Sequence, residues 1–150
     1  MVTPLKDRTP DEPGPSVARR YSTAWDTADG VSIAEARAAV RTLLSEAGHG
    51  PRDRSSQDAQ LVVSELVTNA VRHAPGPGAL LLEVTADGAL LRVGVRDTSR
   101  HLPLPREHDP RRVGGHGLHL VGRLCDEVRA VPLDTGKQIV ASLSLRGRGG

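Results

Sequence analysis

The sequence predicts an α+β fold, a two-layer sandwich with a mostly antiparallel sheet and helices on one of its faces. Three observations predict it. Two amphipathic helix patterns come first. Two apolar runs joined through Asp87-Gly88 follow, the best short-range hairpin signal. A glycine-led helical pattern then precedes a second hairpin.

Length and composition narrow the class. The chain has 150 residues and 37% apolar content, which suits one domain with its own core. Cys125 is the single cysteine, so an internal disulfide framework is excluded and a reducing compartment is indicated. No apolar run is long enough for a bilayer, and the start has no signal-peptide pattern. The expectation is a cytoplasmic protein without a membrane partner. A net charge of +2 and a pI near 9.2 raise the question of nucleic acid. Acids and bases are interspersed, however, and the pairs Arg19-Arg20 and Arg111-Arg112 are too short for a basic arm. With one Trp, one Tyr and no Phe there is no base-stacking platform either. Nucleic acid is not expected as a partner.

Residues 1–18, with Pro4, Pro10, Pro13 and Pro15, read as a flexible tail ahead of a domain at 19–146, with 147–150 frayed. A short edge strand is expected at 21–25. Ser32 with Glu35 forms a capping box that opens a helix, and Gly48 and Gly50 end it. Ser55 with Asp58 reads as a second box, and that helix stops at Pro75-Gly76-Pro77-Gly78. Strands follow at 80–85 and 90–97. The stretch 98–113 contains Pro103, Pro105 and Pro110, and a connection of that length is usually functional. Gly114-Gly115-His116-Gly117 then leads into a helix beginning at Leu118. Strands at 127–132 and 137–145 are joined through Asp134-Thr135-Gly136. Lys137 reads as a solvated strand start.

Candidate site residues emerge from the polar positions. Glu65, Asn69 and His73 are spaced i, i+4 and i+8, and each step of four turns only about 40° around a helix. They share one side, at the margin of the stripe made by Leu61, Val62, Leu66, Val67, Ala70 and Val71. A carboxylate and an amide at a buried margin need partners. A hydrated Mg²⁺ carrying a nucleotide phosphate would satisfy both, and a solvated edge is the plainer alternative. Asp97 continues the apolar face of Leu91, Val93 and Val95, where a carboxylate needs donors unless the strand has already ended and Asp97 caps a turn. Glycines ahead of a helix, here Gly115 and Gly117, let the backbone approach an anion. His116 and His119, with His101 and His108 before them, are a weaker zinc candidate that no cysteine pair supports.

Together these stretches resemble the histidine-kinase-like ATPase domain, with its Bergerat fold, over about residues 33–145. They are most similar to small anti-sigma-factor serine kinases of the RsbW/SpoIIAB type. Glu65-Leu66-Val67-Thr68-Asn69-Ala70-Val71-Arg72-His73-Ala74 is similar to the N-box. Val95-Arg96-Asp97 resembles the G1 box, and Gly115-His116-Gly117-Leu118-His119-Leu120-Val121 the G2 box. Gly136-Lys137-Gln138-Ile139-Val140 resembles the G3-like strand. The resemblance implies ATP and Mg²⁺ as cofactors, with Asn69 as metal ligand and Glu65 as general base or water-positioning residue. It further implies Asp97 as acceptor of the adenine amino group. His73, Gly115, His116, Gly117 and Leu118 complete the implied nucleotide contacts, and 98–113 becomes an ATP lid. Implied partners are an antagonist protein carrying the target serine, a sigma factor, and a second copy in a homodimer. One departure is plain: the G1 box runs Asp-x-Gly-x-Gly, whereas Asp97 is followed by Thr98, Ser99, Arg100 and His101. The alternative is a non-catalytic module of the same fold that binds a regulatory partner.

Overall fold

The computed structural model describes residues 17–99 and 115–145. The tail up to residue 16, most of the expected lid with His101, His108 and Arg111-Arg112, and the last five residues lie outside the described residues. Strand β1 (Val17–Trp25) is followed by a single 3-10 turn, helix α1 (Ile33–Glu46), helix α2 (Arg54–His73), β2 (Gly78–Thr85) and β3 (Leu90–Asp97). Helix α3 (Gly115–Leu124), β4 (Glu127–Leu133) and β5 (Gly136–Ser144) complete the order. Among the described residues all four strand pairings are antiparallel, in the spatial order β1-β2-β3-β5-β4. This is the α+β architecture the patterning predicts.

Alternation in the strands explains the layering. Leu80, Leu82 and Val84 of β2, Leu91, Val93 and Val95 of β3, and Ile139, Ala141 and Leu143 of β5 are all buried. They meet Val40, Leu43 and Leu44 of α1 and Val62, Val63, Leu66 and Val67 of α2 in one core, joined by Val121 of α3. Burying each such side chain contributes about 1.5–3 kcal/mol, so this single interface supplies the main drive for folding.

Helix ends follow local chemistry, with two differences from expectation. Ser32 caps α1, its hydroxyl accepting from the Glu35 N–H at 3.1 Å. At the other end the Gly48 N–H donates to Ser45 O (3.0 Å) and the His49 N–H to Leu44 O (2.8 Å). Those are the two bonds of a Schellman stop. For α2 the expected box at Ser55 is not formed, because the helix begins at Arg54 with Asp53 as N-cap. The Ser55 hydroxyl donates to Leu145 O instead (3.0 Å), and Asp53 accepts from the Gly50 N–H (2.9 Å). The edge strand is longer than expected, so Val17 and Ala18 belong to β1 rather than to the tail. Arg19 and Arg20 on it face acids, Arg19 at 3.7 Å from Glu46 and Arg20 at 2.8 Å from Glu83.

Register places one row across all five strands: Trp25 opposite Gly78, Gly78 opposite Asp97, Asp97 opposite Lys137, and Lys137 opposite Pro132. Two glycines make the row possible. A Cβ on Gly78 would lie 2.5 Å from Trp25 Cζ2, so only glycine lets the indole close over the strand start. A Cβ on Gly136 would run into the Asp97 carbonyl oxygen and stand 2.8 Å from Thr98 Cα. Backbone cannot yield as a flexible side chain does. Gly136→Ala is therefore expected to cost about 2–3 kcal/mol, read as a lowered urea midpoint at unchanged m-value. A midpoint equal to wild type would mean that β5 is not clamped to the end of β3.

Candidate functional site

Helix α2 carries four buried polar side chains, and three of them are satisfied by their neighbours. The Gln60 amide donates to Ser56 Oγ (3.3 Å), and its Oε1 accepts from Arg41 (3.1 Å). The Ser64 hydroxyl donates back to Gln60 O one turn earlier (2.9 Å). Asn69 is the exception. It is 7% exposed, and its Oδ1 is buried with no hydrogen-bond partner among the described residues. An orphaned buried carbonyl costs about 1–3 kcal/mol, so such a group calls for an explanation.

The neighbours of Asn69 on the helix follow the expected geometry. Glu65, one turn earlier, is half-buried. Among the described residues no side chain pairs with it. His73 is the last residue of α2 and is exposed. The helix then ends at the Ala74 cap, and the chain turns through Pro75-Gly76-Pro77 into β2. The end of α2 therefore leads directly to the end of the sheet where Gly78, Asp97 and Lys137 share a row.

Asp97 does lie on the core side of β3. It is 5% exposed, and the ordered strand runs through it rather than stopping before it. Its donors come from an unexpected place. Lys137 Nζ stands 3.1 Å from Oδ1 and 3.1 Å from Oδ2, and the Ser99 N–H donates to Oδ1 at 2.8 Å. Both side chains of the ion pair are almost fully enclosed, 1% exposed for Lys137 and 3% for Asp97. The expectation of a solvated Lys137 is thus overturned. Its parity could have revealed this, because Lys137 alternates in step with Ile139, Ala141 and Leu143 and so points inward. A buried ammonium is costly unless a carboxylate pairs with it, and Asp97 is that partner.

A cavity of about 550 Å³ opens at this end of the sheet, bordered by Gly78, Asp97, Thr98, Leu133 and Thr135 among others. Neither Glu65, Asn69 nor Lys137 is part of its wall. The opening turn of α3 is formed by Gly115, His116, Gly117 and Leu118, so the helix starts three residues before the expected Leu118. The glycines therefore lie inside its first turn rather than ahead of it. The first three amides of such a turn have no intrahelical acceptor and suit an anion. The side chains of these four residues lie outside the described set, as do His101 and His108 of the zinc candidate. Among the described residues no cluster of His, Cys, Asp or Glu could hold a metal ion, and no helix is long and apolar enough to cross a membrane.

Comparison with known proteins bears on the whole arrangement. The family model of the histidine kinase-like ATPase domain matches residues 27–143. No curated protein matches the chain. Among solved structures, the RsbU and RsbW domains of Rv1364c from Mycobacterium tuberculosis superpose with a TM-score of 0.60 at 22% identity, over 87% of this chain and 34% of that one. A blue-light activated histidine kinase, EL346 of Erythrobacter litoralis, superposes with a TM-score of 0.51 at 22% identity, over 78% of this chain and 42% of that one. This chain thus spans about a third to two fifths of these two solved chains, and at these identities the likeness establishes the fold. With most of its length matched by one family and its sheet and helices in that family's arrangement, the chain belongs to the histidine kinase-like ATPase domain family.

Proposed function

We propose that this domain binds Mg-ATP and transfers the γ-phosphoryl group to a serine of an antagonist protein, alternating between that protein and a sigma factor. The observation that carries the reading is the orphaned Asn69 Oδ1. A buried amide oxygen without a donor is a suitable ligand for a hard cation that accepts oxygen from amides and carboxylates alike. Asn69 therefore suits Mg²⁺ as one oxygen ligand among those that phosphates and water would complete. Asn69 would hold it, and when bound the ion neutralises charge on the phosphates.

The remaining roles fall to this chain's own groups. Glu65, half-buried and without a side-chain partner among the described residues, is suited to accept the serine hydroxyl proton as the oxygen attacks phosphorus. The N–H groups of Gly115, His116 and Gly117, in the first turn of α3, have no acceptor in their own helix and would bind phosphate oxygens, with Leu118 and His73, the latter at the end of α2, as further contacts. Asp97 would accept a hydrogen bond from the adenine amino group. The RsbW domain of the M. tuberculosis neighbour supports a regulatory setting with protein partners.

A second reading is favoured by a specific observation. Asp97 already has an internal cation, and the two glycines of the G1 pattern are absent after it. A domain with these features holds nucleotide weakly or not at all and acts by sequestering its partner.

Two substitutions separate these readings. Asn69→Ala removes an unsatisfied oxygen, so thermal stability should hold or rise slightly while magnesium-dependent nucleotide binding is lost in calorimetry. Unchanged affinity would sink the metal assignment. Glu65→Ala should keep Mg-ATP affinity within about twofold and lower phosphotransfer by about 10²–10⁴. Full phosphotransfer by this variant, followed with labelled ATP and the antagonist protein, would remove Glu65 from the mechanism.

A further inference from the structure

Lys137 has no role in the reading above, yet it is one of the two most enclosed charged groups among the described residues. We propose that Lys137 sets nucleotide affinity by neutralising Asp97 from behind, so that the carboxylate reads a purine amino group only weakly. The inference rests on the proposed nucleotide site and adds to it the residue that tunes base recognition.

Three observations support it. First, the carboxylate is nearly saturated. Oδ1 accepts from both Lys137 and Ser99, and Oδ2 accepts from Lys137. A carboxylate offers about four lone-pair sites, so with the described residues alone one remains, on Oδ2. Second, the ion pair is enclosed, with side chains 1% and 3% exposed, and a buried cation is not displaced cheaply by a neutral donor. An entering amino group must share Asp97 with the ammonium. It then forms a bond without full charge assistance, whereas a bond to an uncompensated carboxylate is roughly twice as strong. Third, the backbone that carries Lys137 is held in place. Gly136 presses its backbone against the carbonyl of Asp97, fixing the start of β5 to the end of β3. The cavity at this end is bordered by Asp97 and not by Lys137, so a base entering there would reach Asp97 without first meeting the ammonium.

The sign of the effect is the test. Removing a positive charge would ordinarily weaken binding of a polyanion such as ATP. Here Lys137→Gln, which keeps a neutral donor beside Asp97, should bind Mg-ATP about ten-fold more tightly than wild type. Lys137→Ala, which lets water reach the carboxylate, should gain at least as much if circular dichroism finds it folded. Lys137→Gln carries the test alone if it is not. Purine riboside triphosphate, which lacks the amino group, should show no gain, binding the variants as tightly as wild type or more weakly. A wild type that binds and a Lys137→Gln variant that binds equally or more weakly would overturn the inference and leave the nucleotide site in place. In that case Lys137 donates to the base or is purely structural. An equal gain for both nucleotides would also overturn it, because the effect would not pass through the amino group. No binding by wild type or either variant would overturn both the inference and the nucleotide reading.

Discussion

The constraint on which the rest depends is the row of residues crossing the end of the sheet. Antiparallel register sets Trp25, Gly78, Asp97, Lys137 and Pro132 side by side on five strands. Each neighbour limits the next. The indole closes over Gly78 because that residue has no side chain, and Gly136 meets the Asp97 backbone for the same reason. Lys137 is then carried into the core, where Asp97 is the carboxylate that pairs with it. A buried ion pair is seldom the cheapest way to fill a core, since apolar residues of similar volume often do as well. A cavity at the same end of the sheet is bordered by Asp97, and the proposed part of the pair in recognition rests on that placement.

Helix α2 shows how one element serves both core and site. Its apolar face holds the sheet, and its buried polar residues are satisfied turn by turn through Ser56, Gln60 and Ser64. The pattern breaks at Asn69, one turn beyond Glu65 and one turn short of His73. Local rules that hold along most of a helix and fail at one residue mark the position where something other than folding set the choice.

Much of this was legible in the sequence because it follows from local periodicity. The alternation of Leu91, Val93 and Val95 put Asp97 on the core side, and the i, i+4 spacing put Asn69 on the margin of a buried face. Both hairpins and the Ser32 cap came from turn and capping chemistry. What was not legible depended on contacts distant in sequence. Ser55 looked like a cap until its hydroxyl found Leu145, ninety positions away. The parity of Lys137 with Ile139, Ala141 and Leu143 turned it inward, but its partner lies forty positions earlier, and nothing local announces a β3–β5 pairing. Glycine before a helix and glycine within its first turn leave the same trace in sequence, so the start of α3 fell at Gly115 rather than Leu118.

The central claim is that Mg-nucleotide sits where the end of α2 meets the Asp97 row. The most direct measurement is a titration of isotope-labelled protein with Mg-ADP, followed by NMR of backbone amides and the Asn69 side-chain amide. The account predicts shifts concentrated at residues 65–73, at Asp97 and its neighbours, and at the opening turn of α3, with the Asn69 side-chain signal moving only when magnesium is present. Shifts confined to the opposite end of the sheet, around the Schellman stop and the Asp87-Gly88 hairpin, or no shifts at millimolar nucleotide, would contradict it.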